Sequence, residues 1–590
     1  MLVTDHGGTF LKSLLKGNLP GMKPTLRTMC AFSLRPLAAI AVLGSLAACG
    51  GDGGDTTPSD SFARAEDRAV ENIQTVVVIY PENRSFDNLY SDYPGVDSPL
   101  ATASYAPQVD RDGKTVLAAL PPVWAGLTNA KAQFDPAVPV VTTSQTQGMA
   151  NKPFSINETY PGVDLKAVNA DLWHNFYQNQ MQIDGGKNDQ FVAWADTAGG
   201  LVMGHFTGNA NTLPLWKVAQ KYTMADHFFM GAFGGSFLNH QYLIAAAPPV
   251  VPINDNNKSK VATLSDGPQG SHLAVNPAAA GADSALSGPA TSIFMTSSAT
   301  ITPDAFGINT MQPAYQPSGN KPAPNAQGVA AGLLADPANA TTVPPQTQDN
   351  IGDYLSQKGV EWAWYSGGWA FQTARSTSPS GWVGSDYTGT ALQANGQPFV
   401  NFQFHHQPFN YFKRFDPTTP DGVAQRNEHL KDAGVNGESF IADIRAGKLP
   451  PVSFYKPVGN LNEHNGYADV LRGDQAIANI VAELEKSPQW GHMLVVITYD
   501  ENGGLWDHIA PPKGDRFGPG SRVPTILAGP TVRKGYVDHT MLDTTSILRF
   551  ITRRWSLPEL PGLTRRRDAL KQNTGADQGD LSEVLDTSLT

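Results

Sequence analysis

The sequence predicts an α/β protein: a three-layer sandwich in which helices cover both faces of a largely parallel sheet. Two apolar runs, Thr75–Tyr80 (TVVVIY) and Met493–Tyr499 (MLVVITY), are short, β-branched and continuous, which is the pattern of strands buried on both faces. Strand-like and helix-like segments alternate through the rest of the chain. Each run also stops at acidic residues beside an asparagine, Glu82-Asn83 after the first and Asp500-Glu501-Asn502 after the second. Ligands of open α/β sheets bind outside the carboxyl ends of the strands. Carboxylates gathered at that edge call for a cation, and an oxygen-rich donor set favours a hard or borderline divalent metal.

Taken in order, Gly50–Asp67 is rich in Gly, Asp, Ser and Thr and reads as a flexible tether, with 49–69 as its bounds and order starting near Val70. After the first strand, residues 92–165 form a loop-rich excursion. Asp171–Ile183 has helical spacing, with Leu172, Phe176 and Ile183 on one side, and Gly185-Gly186 makes a turn. Thr212–Tyr222 and Phe237–Ala247 are expected helices. Residues 248–347 are rich in Ala, Pro, Thr, Ser and Asn and form a large loop-rich insertion carrying substrate-side loops. Helices are expected at Asn350–Gly359, Glu438–Gly447, Asp474–Lys486 and Thr544–Trp555. Further strands are expected at Glu361–Ser366, Pro451–Lys456 and Val523–Gly529. The catalytic domain spans 70–575, followed by a flexible tail at 576–590.

Of the 590 residues, 41% are hydrophobic and 16% charged, with a formal net charge of −11 and no long basic cluster, so nucleic acid is not an expected partner. The two cysteines are Cys30 and Cys49. Lys23, Arg27 and Arg35 precede the apolar stretch Pro36–Ala48, which is too short to span a bilayer. Leu46-Ala47-Ala48-Cys49 resembles a bacterial lipoprotein box. Residues 1–48 are therefore expected to be a signal peptide, with a lipid on Cys49 anchoring the protein to a membrane of the cell envelope. An ordinary secretory signal cleaved near Ala48 is the alternative.

Glu82-Asn83-Arg84-Ser85-Phe86-Asp87, set after a buried strand, resembles a motif of the bacterial phosphoesterases that include phospholipases C and respiratory-burst-inhibiting acid phosphatases. Ala225-Asp226, Gly234-Gly235-Ser236-Phe237-Leu238-Asn239, Phe404-His405-His406-Gln407-Pro408-Phe409, Asn462-Glu463-His464 and Tyr499-Asp500-Glu501-Asn502-Gly503-Gly504, with Trp506-Asp507-His508, follow in the family's order. The resemblance covers roughly residues 73–555. It implies an alkaline-phosphatase-like sandwich and phosphoryl transfer to an enzyme hydroxyl. The acid-phosphatase branch is nearest, because Ser236 stands where phospholipases of the family have threonine.

Ser236 follows two glycines and opens a helix, a place where backbone comes close to a ligand and an anion is favoured. Its hydroxyl is the expected nucleophile, activated by metal coordination. The plainer role for such a serine is a helix N-cap. The resemblance implies that Glu82, Asn83, Asp500, Glu501 and Ser236 bind one divalent metal ion. Asn83 either ligates through its amide oxygen or donates to phosphate. The family pattern often has two aspartates where this chain has Asp500-Glu501. The resemblance also puts His174, His406 and His464 around the phosphate, as donors to its oxygens or as the acid that protonates the leaving group. In an enzyme working in acid, some of these would be imidazolium. Asn239 is expected to donate to the same phosphate.

No Gly-x-Ser-x-Gly, Cys-x-x-Cys, His-Glu-x-x-His or Walker-type motif is present, nor the Cys-x-Pro-x-Arg of formylglycine sulfatases. The expected function is acid hydrolysis of phosphomonoesters through a phosphoserine. Phospholipase C activity on phosphocholine diesters is the alternative, and a non-catalytic surface-binding lipoprotein is the alternative of another class. A choline head group would call for an aromatic cage; Trp362, Trp364, Tyr365 and Trp369 form an aromatic-rich stretch, but their spacing is that of core residues.

Overall fold

A computed structural model describes residues 58–130, 133–325, 327–376 and 400–589. The expected signal peptide, the lipid on Cys49 and the first part of the tether lie outside them.

Eight strands form the central sheet: β1 Thr75–Ile79, β2 Thr223–Ala225, β3 Trp362–Gly367, β4 Leu430–Gly434, β5 Val452–Lys456, β6 Met493–Thr498, β7 Thr525–Ala528 and β8 Tyr536–Asp538. Their spatial order is β8-β2-β7-β6-β1-β5-β3-β4. Every neighbouring pair is parallel except the two made by β7, so the sheet is parallel with one reversed strand. The two runs that led the sequence reading are adjacent central strands, β1 and β6, and every residue in both is buried.

Both faces are covered. On β3, Trp362 lies against Phe409 and Trp364 against His240, with ring centroids 4.5 and 6.0 Å apart, while Tyr365 points the other way onto Phe440 at 4.8 Å. One layer holds helices α5 (Ser236–Ala245) and α10 (Thr544–Arg554), which pack together; the other holds α4 (Pro214–Lys221), α8 (Glu438–Arg445) and α9 (Val470–Leu484). Helices α1 (Pro58–Asn72), α2 (Phe86–Tyr90), α3 (Phe176–Ile183), α6 (Ile351–Lys358), α7 (Pro420–His429) and α11 (Pro561–Thr574) complete the set used below.

Three expectations are corrected. The tether does not reach 69: the chain is helical from Pro58, and Glu66 and Asp67 each meet Arg553 at 2.7 Å. The tail 576–590 is not free. Leu581, Val584 and Leu585 are buried, and Asp586 N donates to Thr531 O at 2.7 Å. The predicted helix at 171 starts only at Phe176, because Asp171 and His174 line the site, Leu172 packs in the core and Asn175 is extended. Among the described residues of the insertion, the strands are Gln312–Pro313 and Thr342–Val343, which pair in parallel.

Candidate active site at the carboxyl edge of the sheet

The sheet register assembles the site. Ile79 on β1 faces Ile497 on β6 and Tyr455 on β5. Glu82 and Asp500 therefore each lie three residues beyond a matched pair, and Lys456 lies one beyond. All three are buried, as is Glu501. The turn after β1 is tight: Asn83 has a left-handed φ of 60°, which asparagine tolerates better than most residues, and its N–H donates to Asp500 Oδ1 at 3.1 Å.

Ser236 reaches this edge as the first residue of α5. Gly234 has φ 87°, and a Cβ there would come within 2.4 Å of Phe176 N; a Cβ on Gly235 would meet His174 O at 2.9 Å. Only glycines let the serine turn pass so close to the His174 segment. Ser236 Oγ donates to Glu82 Oε2 at 3.0 Å and lies 3.5 Å from Glu501 Oε1. The backbone N–H groups that open a helix point at the same place, which favours an anion there.

Three carboxylates meet here, from Glu82, Asp500 and Glu501, and among the described residues the lysine or arginine paired with them is Lys456, at Glu82. Its Nζ pairs closely with Glu82 Oε1 and donates to Tyr80 O at 2.8 Å. Burial pushes the carboxyl groups of Glu82, Asp500 and Glu501 up. Repulsion from Asp500 adds to this for Glu82 and Glu501, and Lys456 opposes it for Glu82 and Asp500. Asp500 Oδ2 and both side-chain polar atoms of Asn83 are buried without hydrogen-bond partners. This excess of negative charge, with unpartnered oxygens, fits a divalent cation held by Glu82, Asn83, Asp500, Glu501 and the Ser236 hydroxyl.

The histidines divide into two groups. His174 and His464 line a pocket of about 350 Å³ together with Ser236, His405, Asp171 and Tyr467. His174 Nδ1 bonds Leu172 O and His464 Nδ1 bonds Asn465 O, which fixes the protons on Nδ1 and leaves Nε2 as the basic nitrogen of each neutral ring. His174 Nε2 is 3.5 Å from Glu501 Oε1. His406, expected at the phosphate, is instead buried behind Glu82, with Nε2 3.2 Å from Glu82 Oε1. Neighbours in a tight helical turn point apart, so His405 takes the place on the pocket wall. Burial holds the imidazoles of His174, His406 and His464 below their ordinary range, and that of His405 at about 3. Burial thus works against the imidazolium forms expected around the phosphate.

Asn239 is also corrected. Its Oδ1 accepts from Ala232 N at 2.9 Å, and its Nδ2 donates to the carbonyls of Ala232 and Gly235 at 3.1 and 3.2 Å. The amide shapes the glycine turn that presents Ser236, and it has nothing left for a phosphate.

Two residues escaped the sequence reading. Lys456 ends an apolar strand, where a lysine normally escapes to solvent. His240, four residues after Ser236 and so one helical turn on, donates from Nδ1 to Ser236 O at 2.8 Å, stacks on His406, and has Nε2 3.9 Å from Glu82 Oε1. The i, i+4 spacing from Ser236 was the available signal.

The chain is similar to several known proteins. Phospholipase C B of Mycobacterium tuberculosis is 34% identical over 155 residues, covering 22% of this chain and 29% of that protein. The non-hemolytic phospholipase C of Pseudomonas aeruginosa is 25% identical over 245 residues, 34% of each chain. The chain thus spans about a third of the length of these curated relatives. Among solved structures, the PsFucS1 sulfatase of Pseudoalteromonas sp. matches with a TM-score of 0.26 and 11% identity, covering 63% of this chain and 66% of that one. A protein of the alkaline phosphatase superfamily from Vibrio parahaemolyticus matches with a TM-score of 0.21 and 12% identity, covering 43% and 55%. The Phosphoesterase family is matched over residues 73–558, from β1 to the end of the last sheet-covering helix, and the chain belongs to that family.

Proposed function

We propose that the protein hydrolyses phosphomonoesters through a phosphoserine at Ser236. The observation that carries this reading is the pocket: Ser236 sits in a small polar cavity walled by His174, His405 and His464, beside three buried carboxylates and a helix N-terminus. A monoester dianion suits such a place. A divalent cation held by the carboxylates would lower the pKa of the Ser236 hydroxyl and offset charge on the phosphate oxygens.

Ser236 Oγ forms the new bond to phosphorus as the bond to the leaving oxygen breaks. Its proton is directed at Glu82 Oε2, the nearest acceptor. Entry of a phosphate dianion raises the basicity of the imidazoles facing it, and one of them, protonated at Nε2, hands its proton to the leaving oxygen. The neutral Nε2 of His174 or His464 then accepts a proton from the water that attacks the phosphoserine. Phosphate leaves and the Ser236 hydroxyl is restored.

Cleavage of phosphocholine lipids is the second reading, favoured by the names of the curated relatives. A choline head group calls for an aromatic cage. Trp362, Trp364 and Tyr365 are at most 1% exposed and belong to the core, and Tyr467 is the one Phe, Tyr or Trp side chain among the described pocket-lining residues. Specificity constants for p-nitrophenyl phosphate and p-nitrophenyl phosphocholine, measured side by side, test the choice. A preference for the monoester is expected, and a preference for the choline diester would overturn it. The membrane anchor at Cys49 is a separate proposal: the full precursor should partition with membranes and Cys49→Ala should not.

A further inference from the structure

A second edge of the same sheet ends in metal-ligating residues. Strands β2 and β8 are parallel neighbours, with Ala225 in register with Asp538. The next residue on each is Asp226 and His539, and an imidazole or carboxylate flanks each: Asp226-His227 on one strand, Asp538-His539 on the other. The register thus sets Asp226 beside His539 just past the strand ends, flanked by His227 and by Asp538, the last residue of β8. The loop after α2 adds Asp97, whose N–H donates to Asp226 Oδ2 at 2.8 Å.

The donor atoms converge. His539 Nδ1 is 3.0 Å from both oxygens of Asp226 and 3.3 Å from Asp97 Oδ1. His227 Nε2 is 3.4 Å from Asp97 Oδ2 and 4.0 Å from Asp226 Oδ1. Ligand atoms of Asp97, Asp226 and His227 all lie within 4.8 Å of one another. That His227 nitrogen is buried yet makes no hydrogen bond, and the neighbouring Asp538 carries a buried oxygen, Oδ2, that also has none. Among these residues no lysine or arginine side chain supplies the missing charge in an ion pair. The contrast is the nearby group Asp87, Asp507 and His508. There Arg522 donates to Asp87 at 3.0 Å and to Asp507 at 3.1 Å, so the cation is already built in.

We propose that Asp97, Asp226, His227 and His539 form a second divalent-cation site of the zinc class. Two imidazoles and two carboxylates suit a four-coordinate borderline metal better than a calcium-type ion. Such an ion ties the loop after α2 to the edge of the sheet. Ser98, next to Asp97, already bonds His508 Nε2 at 3.0 Å, and His508 holds Asp87 in α2, the helix that directly follows Glu82 and Asn83. The site is a structural staple on the segment that leaves the active site.

Zn²⁺ retention after dialysis, read by elemental analysis of the intact chain, tests this. The wild type should keep one more Zn²⁺ per chain than His227→Ala/His539→Ala. Both side chains are partly exposed, so that variant should fold and turn over p-nitrophenyl phosphate. Conversely, Glu82→Gln/Asp500→Asn should lose turnover but keep the edge ion, and Zn²⁺ should still raise its melting temperature. His227→Gln/His539→Gln, which keeps side-chain volume, repeats the test should the alanine variant misfold. Equal Zn²⁺ retention in the wild type and the histidine variants overturns the proposal, as does complete loss of Zn²⁺ from Glu82→Gln/Asp500→Asn. The counts decide the matter whether or not the phosphomonoesterase reading holds.

Discussion

Replacing Lys456 by methionine separates the two cations that the active site can use. Lys456 is 1% exposed, and its ammonium touches Glu82 and the Tyr80 carbonyl. Methionine keeps most of the volume and removes the charge. In metal-free protein this leaves three buried carboxylates with no counter-charge, and breaking a buried pair in this way costs about 3–5 kcal/mol. With a divalent cation bound, the carboxylates are already offset, and the loss falls to that of a hydrogen bond, about 1 kcal/mol. Closing the thermodynamic cycle, the cation should bind Lys456→Met about 3 kcal/mol more tightly, roughly a hundredfold. The assay is urea unfolding at pH 8, with chelator and with saturating Zn²⁺ or Mn²⁺, alongside direct metal titration. The gap between the two conditions should narrow as pH falls, because protonation of Glu82, whose carboxyl burial already pushes up, removes the charge that lysine was answering. Equal destabilisation with and without metal, at unchanged metal affinity, would refute the charge argument and make Lys456 an ordinary core anchor.

Three further outcomes follow from the geometry. Ser236→Ala should lose activity by several orders of magnitude while keeping its circular dichroism and its bound metal, since a buried hydroxyl is removed without opening a cavity; retained turnover would exclude the phosphoserine route. Asn239→Leu should cost about 1–3 kcal/mol in stability, from the turn groups left unpaired, together with activity; weaker inhibition by inorganic phosphate at unchanged stability would mean that Asn239 contacts the anion after all. Asp474, buried at the start of α9 and opposed only by the N–H of Leu215, has its carboxyl pushed up to about 7. The folded state therefore keeps a proton that the unfolded chain releases, and stability falls as pH rises from about 4 through 7. Asp474→Asn should flatten that slope in urea titrations, gaining on the order of 2–4 kcal/mol at pH 8 and little at pH 4.

The strand ends were legible because their signal is local and redundant. A β-branched run buried on both faces, then acid and asparagine, states both the element and its edge. The metal-site residues Glu82, Asn83, Asp500 and Glu501 follow from that pattern with the family resemblance, and the structure brings them together around Ser236. Strands β2 and β8 were missed because three residues carry no usable period; β2 takes its place from β7 and β8 from β2, rather than from their own sequence. Asn239 was read as a donor to phosphate because a polar side chain one turn past Ser236 has the right reach. Its actual partners are backbone groups of a turn whose path depends on Gly234 and Gly235. His240 and Lys456 were missed for the opposite reason: a histidine in an apolar helix and a lysine ending a strand have ordinary structural roles, and only the register reveals that both converge on Glu82.

Charge balance then distinguishes the buried acidic groups. Asp87 and Asp507 share Arg522, which also donates to Asp226 O at 3.1 Å, and hydrogen bonding to Asp87 holds the His508 imidazole above its ordinary range. Two carboxylates facing a guanidinium and an imidazolium need no further ion, so this network is scaffold, fixing α2 against the loop after β6. Glu82, Asp500 and Glu501 face one ammonium and keep unpartnered oxygens. Retaining that imbalance in a fully buried site is costly unless something cationic completes it. The same imbalance cannot serve a phosphate directly, since anion would meet anion. A divalent cation held by Glu82, Asp500 and Glu501 would offset their charge and, on the proposed reading, let the Ser236 pocket accept a phosphate among acids that would otherwise repel it.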